Sequence, residues 1–107
     1  MSYVIVWEFE VKRGREKEFE QIYGPRGEWA RLFARGKGYR GTELLRDERK
    51  RGRYVTIDRW ASRGAYERFR KRLGKEYAQV DAKGEGLTEK ERKMRRLRDW
   101  DIERLGH

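Results

Sequence analysis

Residues Arg53-Tyr54-Val55-Thr56-Ile57-Asp58-Arg59-Trp60 alternate with the period of a β-strand. Tyr54, Thr56, Asp58 and Trp60 fall on one face, and Val55, Ile57 and Arg59 on the other. Two residues later Ser62 has the chemistry of a helix N-cap. Tyr66, Phe69, Leu73, Tyr77 and Val80 then recur at helical spacing as one apolar stripe. The chain must therefore pass from a sheet into a helix within two residues. Two fates are open to this junction. Its Thr, Asp and aromatics wall a pocket, or they are the ordinary core of a strand and a helix.

The rest of the chain reads around that junction. Tyr3 to Val11 alternates as a strand, with Tyr3, Ile5, Trp7, Phe9 and Val11 on one face. Val4 and Val6 make its other face apolar as well in the first half, as expected of a central strand covered on both sides. A helix is predicted from about Arg15, with Phe19, Ile22 and Tyr23 on one side. Gly24-Pro25-Arg26-Gly27 interrupts it, because Pro25 disfavours helix at the residue before it. A second piece carries Trp29, Leu32 and Phe33 and ends at Gly36 or Gly38. The break is either one rim of a pocket, with Tyr23 and Trp29 beside it, or a kink that wraps the helix around the sheet.

Tyr39 to Asp47 reads as the second strand, pairing antiparallel with Arg53–Trp60 across a polar connection. The stripe from Tyr66 to Val80 predicts one helix, kinked at Gly74 and broken by Gly84 and Gly86. In the tail, Thr88-Glu89-Lys90-Glu91 fits a helical capping box, yet Met94, Trp100 and Ile102 also share a strand face. If the tail is a strand, the order is β-α-β-β-α-β, a ferredoxin-like α+β fold with an antiparallel sheet. The whole chain, 1–107, is read as a single domain in which 84–107 is a C-terminal tail that adds the last strand.

Residue content excludes several chemistries. The chain has no Cys, and its one His is the terminal His107, which leaves no thiolate site, no His-based metal centre and no Ser-His-Asp arrangement. No metal is expected. No long apolar run is present, so neither a membrane span nor a signal peptide is read, and the expected location is the cytoplasm. The formal net charge is +10, which raises nucleic acid as a partner. Basic residues are interspersed with Glu and Asp along the whole chain, however, as on a solvated high-charge surface.

Trp7-Glu8-Phe9, then Gly38-Tyr39-Arg40-Gly41-Thr42-Glu43-Leu44, then Asp58-Arg59-Trp60-Ala61-Ser62 with Ala65-Tyr66-Glu67-Arg68-Phe69 resemble, in order and spacing, the antibiotic biosynthesis monooxygenase domain. The resemblance covers roughly residues 3 to 83. It implies a ferredoxin-like domain that forms a homodimer, two sheets closing a dimeric α/β barrel, with the last strand from about Met94 to Ile102 beside the first. It also implies binding of a small aromatic ligand and, as one branch, oxidation of a phenol or quinol by O2 with no cofactor. Quinone-forming members place an Asn four residues before a Trp on the third strand and a Tyr six residues after it. Trp60 and Tyr66 match, but Thr56 stands where the Asn would be. Haem-degrading members need an internal His and an Asn, and this chain has neither.

The candidate catalytic residues are accordingly Trp60, Tyr66 and Asp58, with Thr56, Tyr23, Trp29 and Trp7 as candidate ligand contacts. Asp58 would serve as a base if burial raised its pKa; its simpler fate is a salt bridge with one of the many nearby Arg. Arg59 and Arg70 are candidates to stabilise a substrate anion. Three functions remain open at this point: an aromatic oxygenase, a ligand-binding barrel without catalysis, and a basic nucleic-acid-binding domain. Against the last, a base-stacking sheet would want aromatics where Arg53, Val55 and Asp58 stand.

Overall fold

The structure, a computed structural model, describes residues 2–98. The elements follow in the order β1 (Tyr3–Val11), α1 (Glu16–Tyr23), α2 (Glu28–Phe33), β2 (Tyr39–Arg46), β3 (Arg53–Trp60), α3 (Arg63–Arg72), α4 (Gly74–Glu85) and β4 (Thr88–Arg98). The strands form one antiparallel sheet in the order β2-β3-β1-β4. This is the β-α-β-β-α-β ferredoxin-like arrangement, with each helical connection broken in two.

Both breaks have local causes. Gly24 leaves the helix in extended backbone immediately before Pro25, the conformation that a residue preceding proline prefers. The second break falls at Leu73, whose φ of −114° and ψ of 30° end α3 and start α4. The kink expected at Gly74 is thus a division into two helices. Ser62 caps α3 as expected, its hydroxyl accepting from the Ala65 amide at 3.1 Å.

The inner face of the sheet packs against the helices in a core that is largely aromatic. Trp60 is fully buried at its centre, with ring centroids of Phe69, Tyr39, Tyr66 and Phe33 at 5.0, 5.3, 5.6 and 5.7 Å. The loop after α2 reaches this ring through Gly36, where a Cβ would lie 2.8 Å from Phe69 and 2.9 Å from Trp60. Gly36→Ala is therefore expected to destabilise the fold by about 1–3 kcal/mol through overpacking. A urea midpoint equal to that of the wild type would show that the loop simply moves away.

The outer face differs in kind. Val4 and Val6 pack with Val55 and Ile57. Around them run the ion pairs Arg59–Glu43 (2.9 Å), Arg53–Glu8 (2.9 Å) and Lys50–Glu10 (2.6 Å). Such exposed pairs add little stability each. They account for part of the high charge as a solvated surface.

The tail corrects one expectation: the last strand begins at Thr88 and not near Met94. Of the two readings open there, strand is the one adopted, and the Thr88–Glu91 capping box caps no helix. The Leu87 carbonyl accepts from the Lys12 amide at 2.9 Å, and β4 then pairs with β1 from Val11↔Thr88 to Tyr3↔Arg98. Without β4, the second edge of β1 would expose a full row of unpaired amides and carbonyls. Satisfying it outweighs a local helix-start signal. Trp100, Ile102 and Leu105 lie outside the described residues.

Candidate functional site

Strand alternation and register assemble the site. Thr56 and Asp58 point to the inner face from β3. Thr56 is opposite Trp7 of β1, and Asp58 is opposite Ile5 of β1 and Thr42 of β2. Between these residues and the helices lies a cleft with about 460 Å³ of empty space, counting its open mouth. Its interior is narrow, about 50 Å³. Trp7, Phe9, Thr42, Thr56 and Asp58 form the floor, and Tyr23, Trp29, Phe33, Tyr77 and Asp81 form the roof.

This cavity is aromatic on most sides and polar at one spot on the floor. Asp58 is only 8% exposed, and Thr56 is buried beside it. The Thr42 hydroxyl donates to Asp58 Oδ1 at 2.8 Å, and Tyr39 OH lies 2.6 Å from Thr42 Oγ1. Among the described residues Asp58 has no cationic partner, so the expected salt bridge is corrected. The reason is alternation: Arg53 and Arg59 flank Asp58 on β3 but project to the outer face, where they pair with Glu8 and Glu43. Burial without a counter-charge pushes the Asp58 carboxyl up from 3.8 to about 6, with the Thr42 hydrogen bond offsetting part of the rise.

The roof is a stack of side chains. Tyr77 sits edge-on to Trp29 at 4.7 Å, and the Arg70 guanidinium lies 3.8 Å from the Tyr77 ring centroid, a cation–π contact. Arg70 also donates to Tyr66 OH at 3.0 Å. Burial first, then neighbouring charge, pushes the Tyr77 phenol well above its ordinary value. The Trp29 indole N–H is buried and has no hydrogen-bond partner among the described residues.

Five of the seven candidate residues meet at this cavity: Asp58, Thr56, Tyr23, Trp29 and Trp7. Trp60 and Tyr66 lie one layer away, packed on each other and on the core, and do not line it. Arg59 faces outward. Arg70 reaches the roof only through Tyr77. Phe9, Phe33, Thr42, Tyr77 and Asp81 line the cavity although the sequence reading did not single them out. For Asp81 a signal existed, since it stands four residues after Tyr77 and so shares its helical face. Thr42 carried no usable signal, for a reason that lies in the backbone of β2.

The model of the family described as antibiotic biosynthesis monooxygenase matches residues 2–80. Among solved structures, the chain is similar to SnoaB, a cofactor-independent oxygenase from Streptomyces nogalater. An alanine-for-asparagine variant of SnoaB has 25% identity, covers 91% of each chain and gives a TM-score of 0.76. A second SnoaB structure has 25% identity over 92% of this chain and 94% of that one, with a TM-score of 0.70. A haem-degrading protein from Mycobacterium tuberculosis is similar over a shorter span. It has 26% identity over 64% of this chain and 77% of that one, with a TM-score of 0.53. No curated protein is significantly similar to the chain.

Proposed function

Since the chain belongs to the antibiotic biosynthesis monooxygenase family, we propose that it binds a small, flat aromatic molecule in the cavity under Tyr77. There Asp58 takes a phenolic proton so that O2 can oxidise the resulting anion. One observation carries this reading: a buried carboxylate, with no counter-charge among the described residues, on the floor of an aromatic cavity. Such a group is costly to keep and is poised to accept a proton near neutral pH.

The chemistry follows from the substrate. An ordinary phenol titrates near 10, so proton transfer to a carboxylate at about 6 is uphill by roughly 5 kcal/mol. With the carboxylate at its usual value the same step would cost about 3 kcal/mol more. The phenolate passes one electron to O2, and the resulting radical and superoxide combine at a ring carbon. The peroxide takes back the proton held by Asp58, and loss of the ring C–H proton together with hydroxide, as one water, leaves a carbonyl. In sum, the phenol O–H and one ring C–H give two C=O groups, one O2 is consumed and one water is released. Trp7, Tyr23 and Trp29 hold the ring, Thr56 offers a hydroxyl to its oxygen, and Trp60 and Tyr66 support the wall from behind. The interior is smaller than the few hundred Å³ a ligand site ordinarily needs, so a bound ring requires Trp29 and Tyr77 to part.

Oxygen uptake with a dihydroxynaphthalene tests this reading. Substrate loss in air that stops under argon supports it, whereas equal loss under argon refutes it. Binding without oxygen uptake, seen as quenched tryptophan fluorescence, favours the ligand-binding barrel. A nucleic-acid role finds less support, because the aromatics of β1 and β3 lie beneath the helices and not on an open platform. For the oligomer, the outer sheet face is the surface we assign to a second copy. It carries half-buried Val55 and Ile57, and Leu45 at 48% exposure, among charges of both signs. Sedimentation equilibrium is expected to give a dimer that Ile57→Lys disrupts; a wild-type monomer at micromolar concentration would refute that assignment.

A further inference from the structure

Strand β2 contains one residue too many. Tyr39 is opposite Trp60 and Gly41 is opposite Arg59, so Arg40 and Gly41 together face a single residue of β3. In an uninterrupted strand, residues three apart point to opposite faces. The bulge resets that alternation, and Tyr39 and Thr42 end on the same inner face. Gly41 makes this possible with a φ of +129°, a conformation that residues with a Cβ rarely adopt. Only because of the bulge can Tyr39 OH sit 2.6 Å from Thr42 Oγ1.

The direction of the chain is fixed by proton count. The Thr42 hydroxyl has one hydrogen and gives it to Asp58 Oδ1. Tyr39 must therefore donate to Thr42, and both bonds point inward and reinforce each other. Tyr39 is itself held by Phe33 and Trp60, at ring distances of 5.6 and 5.3 Å. Asp58 Oδ2 has no hydrogen-bond partner among the described residues. The other groups around Asp58 are Ile5 and Trp7 of β1, Tyr23 of α1, Trp29 of α2, and Tyr77 and Asp81 of α4.

We infer that Tyr39 and Thr42 are positioning residues for Asp58: the chain built by the bulge ties down Oδ1 and leaves Oδ2 as the atom that accepts a proton from a ligand in the cavity. This rests on reading Asp58 as the base, and the test separates the two. The hydrogen bond from Thr42 favours the carboxylate against burial, so its loss raises the titration midpoint.

The experiment follows the Asp58 side-chain carboxyl by 13C NMR titration of the full chain, in the wild type and in Thr42→Val, Thr42→Ser, Tyr39→Phe and Asp81→Asn. Thr42→Val is expected to raise the midpoint by about one unit, the size of a hydrogen bond to a charged group. Thr42→Ser should restore it, and Tyr39→Phe should raise it by less. Asp81→Asn should not reproduce the pattern. In oxygen uptake, Thr42→Val should lower kcat about tenfold while KM changes less than about twofold. An unchanged midpoint in Thr42→Val would overturn the inference. If that variant does not fold, an unchanged midpoint in Tyr39→Phe would do the same. If the wild type takes up no oxygen, the oxygenase reading fails and the titration still decides whether the chain holds Asp58.

Discussion

Asp58→Asn is expected to abolish oxygen uptake and at the same time to make the protein more stable at neutral pH. The two effects share a cause. Asp58 is buried without a cation among the described residues, and its carboxyl titrates near 6 against 3.8 ordinarily. The folded state therefore holds its proton to higher pH than the unfolded chain does. Below about pH 4 both states are protonated and Asp58 costs nothing relative to Asn. Between about 4 and 6 the unfolded state ionises first, and stability falls as pH rises. Above 6 the full difference, about 3 kcal/mol, works against the fold. An amide of the same shape still accepts the Thr42 hydrogen bond and carries no charge, so it removes most of that penalty. It cannot take up a proton, and loss of a general base lowers turnover about 10²–10⁴-fold. The comparison is urea unfolding at pH 7.5 and at pH 4, together with oxygen uptake. A gain at pH 7.5 that vanishes at pH 4 is the expected pattern. Equal stability at both pH values would mean that Asp58 is solvated or paired.

Trp60→Ala should unfold the protein or bring it to the edge of unfolding. The indole is fully buried and touches four other aromatic rings, and truncating a buried Trp costs about 3–5 kcal/mol. A small domain has about 5–15 kcal/mol in all. Trp60→Phe keeps an aromatic body and should cost less. The useful comparison is kcat per folded molecule in Trp60→Phe. Because Trp60 does not line the cavity, the expected result is a lower melting temperature with turnover within a few-fold of wild type. A loss of more than about a hundredfold in kcat at unchanged stability would place Trp60 in the chemistry and contradict the geometry.

The parts of this molecule that could be read from the chain are those governed by strict alternation or by a single strong residue. Strand β3 runs over the residues its alternation marks, and Pro25 and Ser62 act where their chemistry says they must. Alternation also puts Arg53 and Arg59 on the face away from Asp58, so the absence of a salt bridge with either of them was legible, although proximity in sequence suggested one. Depth was not legible. The period puts Thr56, Asp58 and Trp60 on one face but does not say that the cavity stops before Trp60. Thr42 was hidden by the bulge at Gly41, which inverts the phase of β2, and no local pattern reveals where an extra residue sits. Tyr77 and Asp81 come to the cavity from α4, which starts where the chain breaks at Leu73. The tail was ambiguous because a capping-box signal competes with strand pairing, and only the open edge of β1 decides between them.

The claim on which the rest depends is that Asp58 removes the substrate's proton. The most direct measurement is the pH dependence of kcat/KM for oxygen uptake with a dihydroxynaphthalene, whose own hydroxyls titrate well above the range used. The expected profile rises with pH through a midpoint of about 6 and is absent in Asp58→Asn. A flat profile between about pH 5 and 8, or an Asp58→Asn variant with wild-type turnover, would contradict it.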